Sequence, residues 1–351
     1  MKLMMKIWTI LWAIALSTLI VQPAAGASEN VGVHQLAAPS KERGVDLDVT
    51  VWYPAQPGGQ SVTLGESVFF AGTPAMRDAP ISDGKFPLVL LSHGAGLSGN
   101  AQALSWIAVP LAMQGFIVAA PTHPGNAGGN RSAAETMKLW LRPADITETL
   151  NAMENASFFK AQLDYDAVGV LGLSMGGSTA LMITGARMEP KTLADYCDTD
   201  ALNASLCEWI RQSGVDLHAM DLRPAGGDYK DKRIRFAMAI DPAPVDVFEF
   251  KSFSEISVPV EFINLGKPGK IPLTADASKI AKAIPRATYS TIEDASHYSM
   301  FGECKPGASV IADSEKIGDP ICADGNGRSR REIHEQLSKA VVAAFSRAFS
   351  H

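Results

Sequence analysis

The stretch Asp166-Ala-Val-Gly-Val-Leu-Gly-Leu-Ser-Met-Gly-Gly-Ser-Thr-Ala-Leu181 decides the fold. Its apolar run from Val168 to Leu173 has the length and composition of a buried parallel strand. The pattern G-x-S-x-G follows in residues 172–176, and small and apolar residues suited to a helix come next. A serine at the apex of a sharp turn from strand to helix is the context of a nucleophile elbow. We therefore predict Ser174 as a nucleophile; the alternative is a chance match in a chain with 30 glycines.

The first 27 residues have the composition of a secretory signal peptide. Lys2 and Lys6 precede an apolar run at 7–21, and residues 25–27 (Ala-Gly-Ala) offer a cleavage site after Ala27. This run is short for a membrane-spanning helix, which needs about 20 residues. We predict export to the periplasm or outside the cell, with no stable membrane insertion after cleavage. An uncleaved N-terminal anchor is the alternative.

The remaining residues, 28–351, have an ordinary charge balance. Without residues 1–27 the chain has 29 basic and 37 acidic residues and a formal charge of −8. No basic run suggests a nucleic-acid partner. The length suits a single large α/β domain, which we expect to be a monomer.

The four cysteines lie in turn-rich parts of the sequence. An exported chain meets an oxidising compartment, so this even number predicts disulfides. Sequence proximity favours the pairs Cys197–Cys207 and Cys304–Cys322, although four cysteines allow three pairings. The sequence has no C-x-x-C motif and no nearby pair of histidines, so zinc is not expected. We expect no metal and no cofactor.

Short apolar strands alternate with helical segments along most of the chain. Residues 46–53 read as an antiparallel edge strand and 67–71 as a possible second strand. Further strands are predicted at 86–92, 115–120, 168–173, 234–241, 258–266 and 288–292. Helices are predicted at 101–113, from 142, from 175 to about 186, at 275–283, and near the C-terminus, where Ile333, Leu337, Val341 and Phe345 share a face. This alternation predicts a mostly parallel central sheet with helices on both faces, and residues 187–232, which break it, a small inserted cap.

In such sheets the chemistry collects at the carboxyl ends of the strands. The loops there contain His93-Gly94-Ala95, Ser174, Asp241 and His297. A serine hydroxyl needs a base to accept its proton, and a carboxylate must orient the imidazole of that base. In the chain order Ser, Asp, His, only His297 follows the last predicted strand directly.

Asp241, which ends its strand before Pro242, is the preferred acid. Asp276 and Asp294 are alternatives, but Asp276 is placed to cap a helix and Asp294 to form a local turn.

An oxyanion needs two backbone N–H donors that point at one position. Met175, directly after the nucleophile, and Ala95, in the loop after an earlier strand, are the predicted donors. His93 is expected to pack or form a hydrogen bond beneath this loop. We interpret His123 as a turn residue, and Arg142 and Asp145 as a pair at the start of a helix.

Together these segments resemble exported dienelactone-hydrolase-like α/β-hydrolases, which are related to the platelet-activating-factor acetylhydrolases. The matching residues are 86–94 (Phe-Pro-Leu-Val-Leu-Leu-Ser-His-Gly), 142–146 (Arg-Pro-Ala-Asp-Ile), 172–177 (Gly-Leu-Ser-Met-Gly-Gly), 239–243 (Ala-Ile-Asp-Pro-Ala) and 295–297 (Ala-Ser-His). The resemblance extends over about residues 31–349. It implies the α/β-hydrolase fold, an acid at Asp241 and an oxyanion donor at Ala95. Dienelactone hydrolases have a cysteine nucleophile where this chain has Ser174, so a carboxylic ester fits better than a dienelactone.

The expected activity is therefore that of a serine esterase that acts on small-molecule or lipid esters with short to medium acyl chains. A lipid acetylhydrolase and a polyester or lactone hydrolase are alternatives within the same fold. An inactive hydrolase-fold binding protein and a peptidase are less favoured alternatives.

Overall fold

The computed structural model describes residues 30–126, 131–325 and 327–350. The predicted signal peptide lies outside the described residues. The strands are β1 (Val31–Ser40), β2 (Val45–Pro54), β3 (Gln60–Leu64), β4 (Thr73–Arg77), β5 (Phe86–Ser92), β6 (Ile117–Pro121), β7 (Leu163–Leu173), β8 (Phe236–Ile240), β9 (Val260–Leu265) and β10 (Ala287–Ile292). The α-helices are α1 (Ser105–Met113), α2 (Ala133–Met137), α3 (Leu141–Asn155), α4 (Met175–Ile183), α5 (Pro190–Ala194), α6 (Ala204–Gln212), α7 (Ser278–Ala281), α8 (Ala308–Ser314) and α9 (Arg330–Phe349).

The ten strands form one mixed sheet in the order β10-β9-β8-β7-β5-β6-β2-β1-β4-β3. Strands β10 to β6 in this order are parallel to their neighbours, whereas β2 pairs antiparallel with both β6 and β1. From β5 the chain moves outward to β6 and then returns to place β7 on the other side of β5. The strand order therefore reverses between β5 and β7, and such a switch point opens a crevice at the carboxyl ends of the strands.

Alternate residues of the central strands pack into cores on opposite faces of the sheet. On β5, Leu88 and Leu90 contact the core that includes α3 and α4. Val89 and Leu91 contact the core that includes α1 and α9. All four side chains are buried. The predicted parallel sheet with helices on both faces is confirmed, and its continuous apolar strands follow from burial on both faces.

The N-terminal part of the sheet differs from the prediction. Strand β2 is not an edge strand, because β1 pairs with it along its whole length and β6 covers its other side. The sequence of β1, Val-Gly-Val-His-Gln-Leu-Ala-Ala-Pro-Ser, has little alternation and gave no strand signal. β1 nevertheless forms, because the turn at 41–44 leads directly into β2, which pairs antiparallel with β1.

The possible strand at 67–71 is also wrong. Strands β3 and β4 lie on either side of this segment, and within it Phe70 forms only an isolated bridge to Cys304. Phe69 and Phe70 are apolar because they pack against α8 and Ile321 in a small separate core.

The C-terminal helix α9 closes one face of the sheet. Its predicted apolar face, Ile333, Leu337, Val341 and Phe345, is fully buried. Ser329 accepts a hydrogen bond from the Glu332 N–H, and the Glu332 carboxylate accepts one from the Ser329 N–H, so a capping box starts the helix. Within the part of the chain that the structure describes, no helix has the length and apolar character needed to cross a membrane.

His334 of α9 is a buried histidine that the sequence did not single out. Its ring stacks on Trp106, with centroids 3.7 Å apart, and its Nε2–H donates to the Ser299 carbonyl at 2.9 Å. Burial lowers the pKa of His334 to about 4, because the charged imidazolium would lose its hydration there. The folded protein therefore keeps this side chain neutral, whereas the unfolded chain protonates it near pH 6.5.

The contribution of His334 to stability is fully present above pH 6.5 and is lost as the pH falls from 6.5 to about 4, since the unfolded state then binds more protons. His334→Gln keeps a donor for Ser299 but does not titrate. We expect the free energy of unfolding to fall less steeply in this variant over that range, by on the order of 3 kcal/mol in total. Urea unfolding at a series of pH values measures both slopes, and equal slopes would contradict the prediction.

Candidate active site

Ser174 occupies a strained backbone position between β7 and α4. Its φ and ψ are 53° and −121°, which a residue with a Cβ adopts only at a cost of about 1–3 kcal/mol. The Ser174 N–H donates to the Ile240 carbonyl at 3.0 Å, and the Ser174 carbonyl accepts from the Ala243 N–H at 3.0 Å. These bonds to the end of β8 hold the turn. The serine is therefore presented at the crevice between β5 and β7.

The two glycines of the elbow are explained by close backbone contacts. A Cβ on Gly172 would overlap the Gly176 carbonyl, and a Cβ on Gly176 would overlap the Ser92 carbonyl at the end of β5. The predicted strand, turn and helix around Ser174 are confirmed, with β7 starting earlier and α4 ending slightly earlier than expected.

Ser174, His297 and Asp241 form one hydrogen-bonded series. Ser174 Oγ lies 3.1 Å from His297 Nε2, and His297 Nδ1 lies 2.9 Å from Asp241 Oδ2. A carboxylate can only accept, so His297 carries its proton on Nδ1 and turns the Nε2 lone pair toward the serine hydroxyl. Asp241 is fully buried, whereas the His297 side chain is 23% exposed. This arrangement can transfer a proton from Ser174 to His297.

Asp241 is held by donors that the sequence analysis missed. Its Oδ1 accepts from the Asn264 side chain at 2.6 Å and from the Leu265 N–H at 2.7 Å. Asn264 also donates to the Ala275 carbonyl and accepts from the Ala277 N–H, so its orientation is fixed on both sides. A buried asparagine between apolar residues near the end of β9 was the signal for such a role.

The alternative acids lie in other hydrogen-bonded contacts. Asp276 Oδ1 accepts from the Ser278 N–H at 2.9 Å, in a turn before α7. Asp294 accepts from Arg328 at 2.7 Å, rather than acting only as a local turn former. Of the three candidate carboxylates, only Asp241 is hydrogen-bonded to His297.

Ala95 and Met175 both line the cavity that contains Ser174. Among the described residues, neither of their N–H groups donates to a protein acceptor. Gly94 packs directly on Ser174, because a Cβ there would lie 3.2 Å from the Ser174 Cβ. The two N–H groups are thus free to donate hydrogen bonds to the oxygen atom of a group attached to Ser174.

The cavity at Ser174 has a volume of about 510 Å³. Its walls are largely apolar, with a few polar side chains. The apolar lining residues include Leu97, Leu104, Leu202, Leu206, Trp209, Met300, Phe301, Ile317 and Ile321. The dimensions and lining are typical of a small-molecule site.

The predicted insertion, residues 187–232, supplies one wall of this cavity. Residues 202–206 and Trp209 line it, and the disulfide Cys197–Cys207 ties the start of α6 to the preceding turn. The guanidinium of Arg131 lies 4.9 Å from the centre of the Trp209 ring. The segment 187–232 thus contributes directly to the shape of the site.

The turn that contains His297 is attached to the segment after it. Ser296 Oγ donates to the Ala323 carbonyl, and Ser299 Oγ donates to Asp324, each at 2.8 Å. The disulfide Cys304–Cys322 anchors the chain directly before these two acceptors. Both favoured cysteine pairings are therefore present, and no described cysteine is free.

Arg142 and Asp145 do not pair with each other, which corrects the predicted helix-start pair. Asp145 instead accepts from Arg43 at 3.0 and 2.7 Å and from His123 Nδ1 at 2.8 Å. Arg142 donates to Thr179 at 3.1 Å and to the His93 carbonyl. His123 lies at the start of a turn, as predicted, since its carbonyl accepts from the Asn126 N–H at 3.4 Å, but its side chain is fully buried among polar partners.

Among the described residues, one group offers ligands that could hold a metal: Asp195, Asp198 and His218, on the insertion. Asp198 is paired with His218 and Asp195 with Lys191. None of the three candidate ligands lines the cavity at Ser174. We assign them no role in its chemistry.

Comparisons with known proteins support the resemblance that the sequence suggested. The family profile described as platelet-activating factor acetylhydrolase, isoform II, matches residues 62–149. This segment contains the loop of Ala95 but none of Ser174, Asp241 and His297. A platelet-activating factor acetylhydrolase from Cavia porcellus is 27% identical over 244 residues, which cover 54% of this chain and 53% of the relative. The chain thus spans about half the length of the curated relative it matches.

Solved structures extend the similarity at the level of the fold. A ferulic acid esterase from Streptomyces cinnamoneus has a TM-score of 0.57 and 18% identity, with 93% of this chain and 92% of the esterase covered. A dienelactone hydrolase from Anabaena variabilis has a TM-score of 0.50 and 13% identity, with 91% and 98% covered. Together with the sheet order and the elbow, these similarities establish that the chain has the α/β-hydrolase fold.

Proposed function

We propose that the chain is an exported serine hydrolase that cleaves carboxylic esters with short to medium acyl groups through an acyl-enzyme. The observation that carries the proposal is the hydrogen-bonded series Ser174–His297–Asp241 beside an apolar cavity. The related acetylhydrolase and the fold shared with esterases support an ester as the substrate.

In the first half of the reaction, Ser174 Oγ attacks the ester carbonyl while its proton passes to His297 Nε2. Asp241, through Nδ1, stabilises the imidazolium that forms. The carbonyl oxygen becomes an oxyanion, which accepts hydrogen bonds from the N–H groups of Ala95 and Met175. The carbon–oxygen bond of the alcohol then breaks, and His297 returns the proton to the leaving alcohol.

In the second half, water replaces the alcohol. His297 takes a proton from this water, whose oxygen attacks the acyl carbon bound to Ser174. A second oxyanion forms between the same two N–H groups. When it collapses, the acid leaves, Ser174 Oγ regains its proton from His297, and the enzyme is restored.

The cavity limits the acyl group. Its volume of about 510 Å³ lies within the range of about 300–1,000 Å³ for small-molecule sites. The insertion closes one side of it with Trp209, so a long acyl chain would have to leave through the mouth. Short and medium acyl groups fit these walls best. A cavity of this size also has room for an acetyl group, so a lipid acetylhydrolase is the second candidate. The similarity of residues 62–149 to the acetylhydrolase family favours it.

Export is supported by two features. Residues 1–27 have the pattern of a signal peptide, and the two disulfides suit an oxidising compartment.

Labelling with a fluorescent organophosphonate tests the nucleophile. We expect the wild-type protein to be labelled and Ser174→Ala to remain unlabelled, because phosphorus bonds to the activated serine oxygen. Ser178→Ala, which alters a buried serine one helical turn away, is the matched control and should label like wild type. In the same preparations, p-nitrophenyl esters from acetate to palmitate should be cleaved with a preference for the short and medium acyl groups.

Equal labelling of wild type and Ser174→Ala would contradict the proposed nucleophile. A labelled protein that cleaves no ester would favour the binding-protein alternative, and faster cleavage of matched amides than of esters would favour a peptidase. An acetylated phospholipid and a lactone in the substrate series separate the remaining alternatives.

Replacement of the acid tests the role of Asp241. We expect Asp241→Asn to lower kcat by about 10³–10⁴-fold, because an amide at this position favours the wrong tautomer of His297. Asp276→Asn and Asp294→Asn are controls that should retain kcat near that of wild type. Steady-state kinetics on the best ester measures all three variants, and a loss in either control comparable to that of Asp241→Asn would assign the acid elsewhere.

A further inference from the structure

A cluster of buried polar side chains lies beneath the loop that contains Ala95. We call it the histidine cluster; its members are Arg43, Ser92, His93, His123, Arg142 and Asp145. Ser92, His93, His123, Arg142 and Asp145 are each at most 1% exposed, so they cannot touch a substrate. Fully buried polar groups are costly unless they are paired, and the cluster needs an explanation beyond packing.

The contact of the cluster with the active site is made by the His93 ring. His93 Nδ1 lies 2.7 Å from the carbonyl oxygen of Gly94. This carbonyl and the Ala95 N–H belong to the same planar trans peptide group, in which the C=O and N–H bonds point in opposite directions. Fixing the Gly94 oxygen therefore also fixes the direction of the Ala95 N–H.

We propose that His93 is a positioning residue that aims the Ala95 N–H at the oxyanion, through its hydrogen bond to the Gly94 carbonyl. The inference rests on the proposed function, in which Ala95 is an oxyanion donor. It assigns to His93 a role in the reaction beyond packing beneath the loop.

The tautomer of His93 is set by its two partners. The Gly94 carbonyl can only accept, so Nδ1 carries the proton. The N–H of His123 donates to His93 Nε2 at 3.0 Å, so this second nitrogen must be unprotonated. Burial lowers the pKa of His93 well below its usual range, with the nearby His123 and Arg142 acting in the same direction. A neutral ring with its proton on Nδ1 satisfies every one of these contacts.

The rest of the cluster holds His93 and the preceding peptide in place. His123 Nδ1 donates to Asp145 at 2.8 Å, and its Nε2 accepts from Ser92 Oγ at 2.9 Å. Arg43 binds the Asp145 carboxylate through two nitrogens. Ser92, His123 and Asp145 thus form a second hydrogen-bonded serine–histidine–aspartate series. Because all three are completely buried, this series has a structural role only.

Arg142 fixes the neighbouring peptide group. Its guanidinium donates to the His93 carbonyl, so the peptides on both sides of Gly94 are held from below. Preorganised donors of this kind are worth most where charge develops in the transition state.

The test compares two substitutions at His93. His93→Phe keeps an aromatic ring but removes the donor to Gly94, whereas the side-chain amide of His93→Asn can donate from the position of Nδ1. We expect His93→Phe to lower kcat on the best ester by about 10–100-fold, with little change in KM, because the lost interaction acts only in the transition state. His93→Asn should recover most of kcat.

His34→Phe is the matched control, since His34 lies on β1, stacks on Phe158 and takes no part in the cluster. Its kcat and KM should equal those of wild type. Normal kcat in folded His93→Phe, or equal losses in the Phe and Asn variants, would overturn the inference. A wild-type protein without Ser174-dependent turnover would instead overturn the proposed function and this inference with it.

A measurement on the unmodified protein is independent of how the variants fold. Long-range ¹H–¹⁵N spectra of the ¹⁵N-histidine-labelled wild-type protein near neutral pH report the tautomer of each ring. We expect the His93 signal to show a neutral ring with its proton on Nδ1. A proton on Nε2, or a charged ring, would overturn the inference because Gly94 would then lack this donor or His123 its acceptor.

Discussion

The left-handed backbone of Ser174 is the constraint on which the active site depends. A residue at φ 53° and ψ −121° is stable only if its surroundings hold it. Here Ile240, the last residue of β8, binds its N–H, and Ala243, in the loop after β8, binds its carbonyl. The same contact brings Asp241, the next residue after β8, under His297. The strained turn and the proposed acid are therefore held by the same segment, which sets the position of the proposed nucleophile, Ser174, together with that of the proposed base, His297.

Much of this arrangement was predictable from local sequence. Short segments of sequence were enough to predict the apolar strands and the elbow at residues 172–176. They were also enough to place Ser174, Asp241 and His297 at strand ends, in the expected chain order. Parallel strands bring their carboxyl ends to one edge of a sheet, so placing the strands also placed these side chains near each other. The structure brings the three together as expected, at hydrogen-bonding distance.

The parts that sequence did not predict depend on partners far apart in the chain. Arg43 and Asp145 are 102 residues apart, so their pairing could not be seen beside the nearer pair of Arg142 and Asp145. Strand β1 lacks a strong pattern of its own and forms by pairing with β2. Asn264 differs from both, because a buried asparagine between the apolar residues Ile263 and Leu265 was a local signal that could have been used. Contacts between residues distant in the chain were therefore the main part of the structure that local sequence patterns did not predict.

The central claim is that the oxyanion, which forms from the carbonyl oxygen of the ester that Ser174 attacks, is held between the N–H groups of Ala95 and Met175. A crystal structure of the protein after reaction with an organophosphonate tests it most directly, because the phosphoryl oxygen mimics the oxyanion. We predict a bond from phosphorus to Ser174 Oγ and hydrogen bonds of about 2.7–3.1 Å from both N–H groups to that oxygen. Phosphorus on another residue, or a phosphoryl oxygen directed away from Ala95 and Met175, would contradict the account.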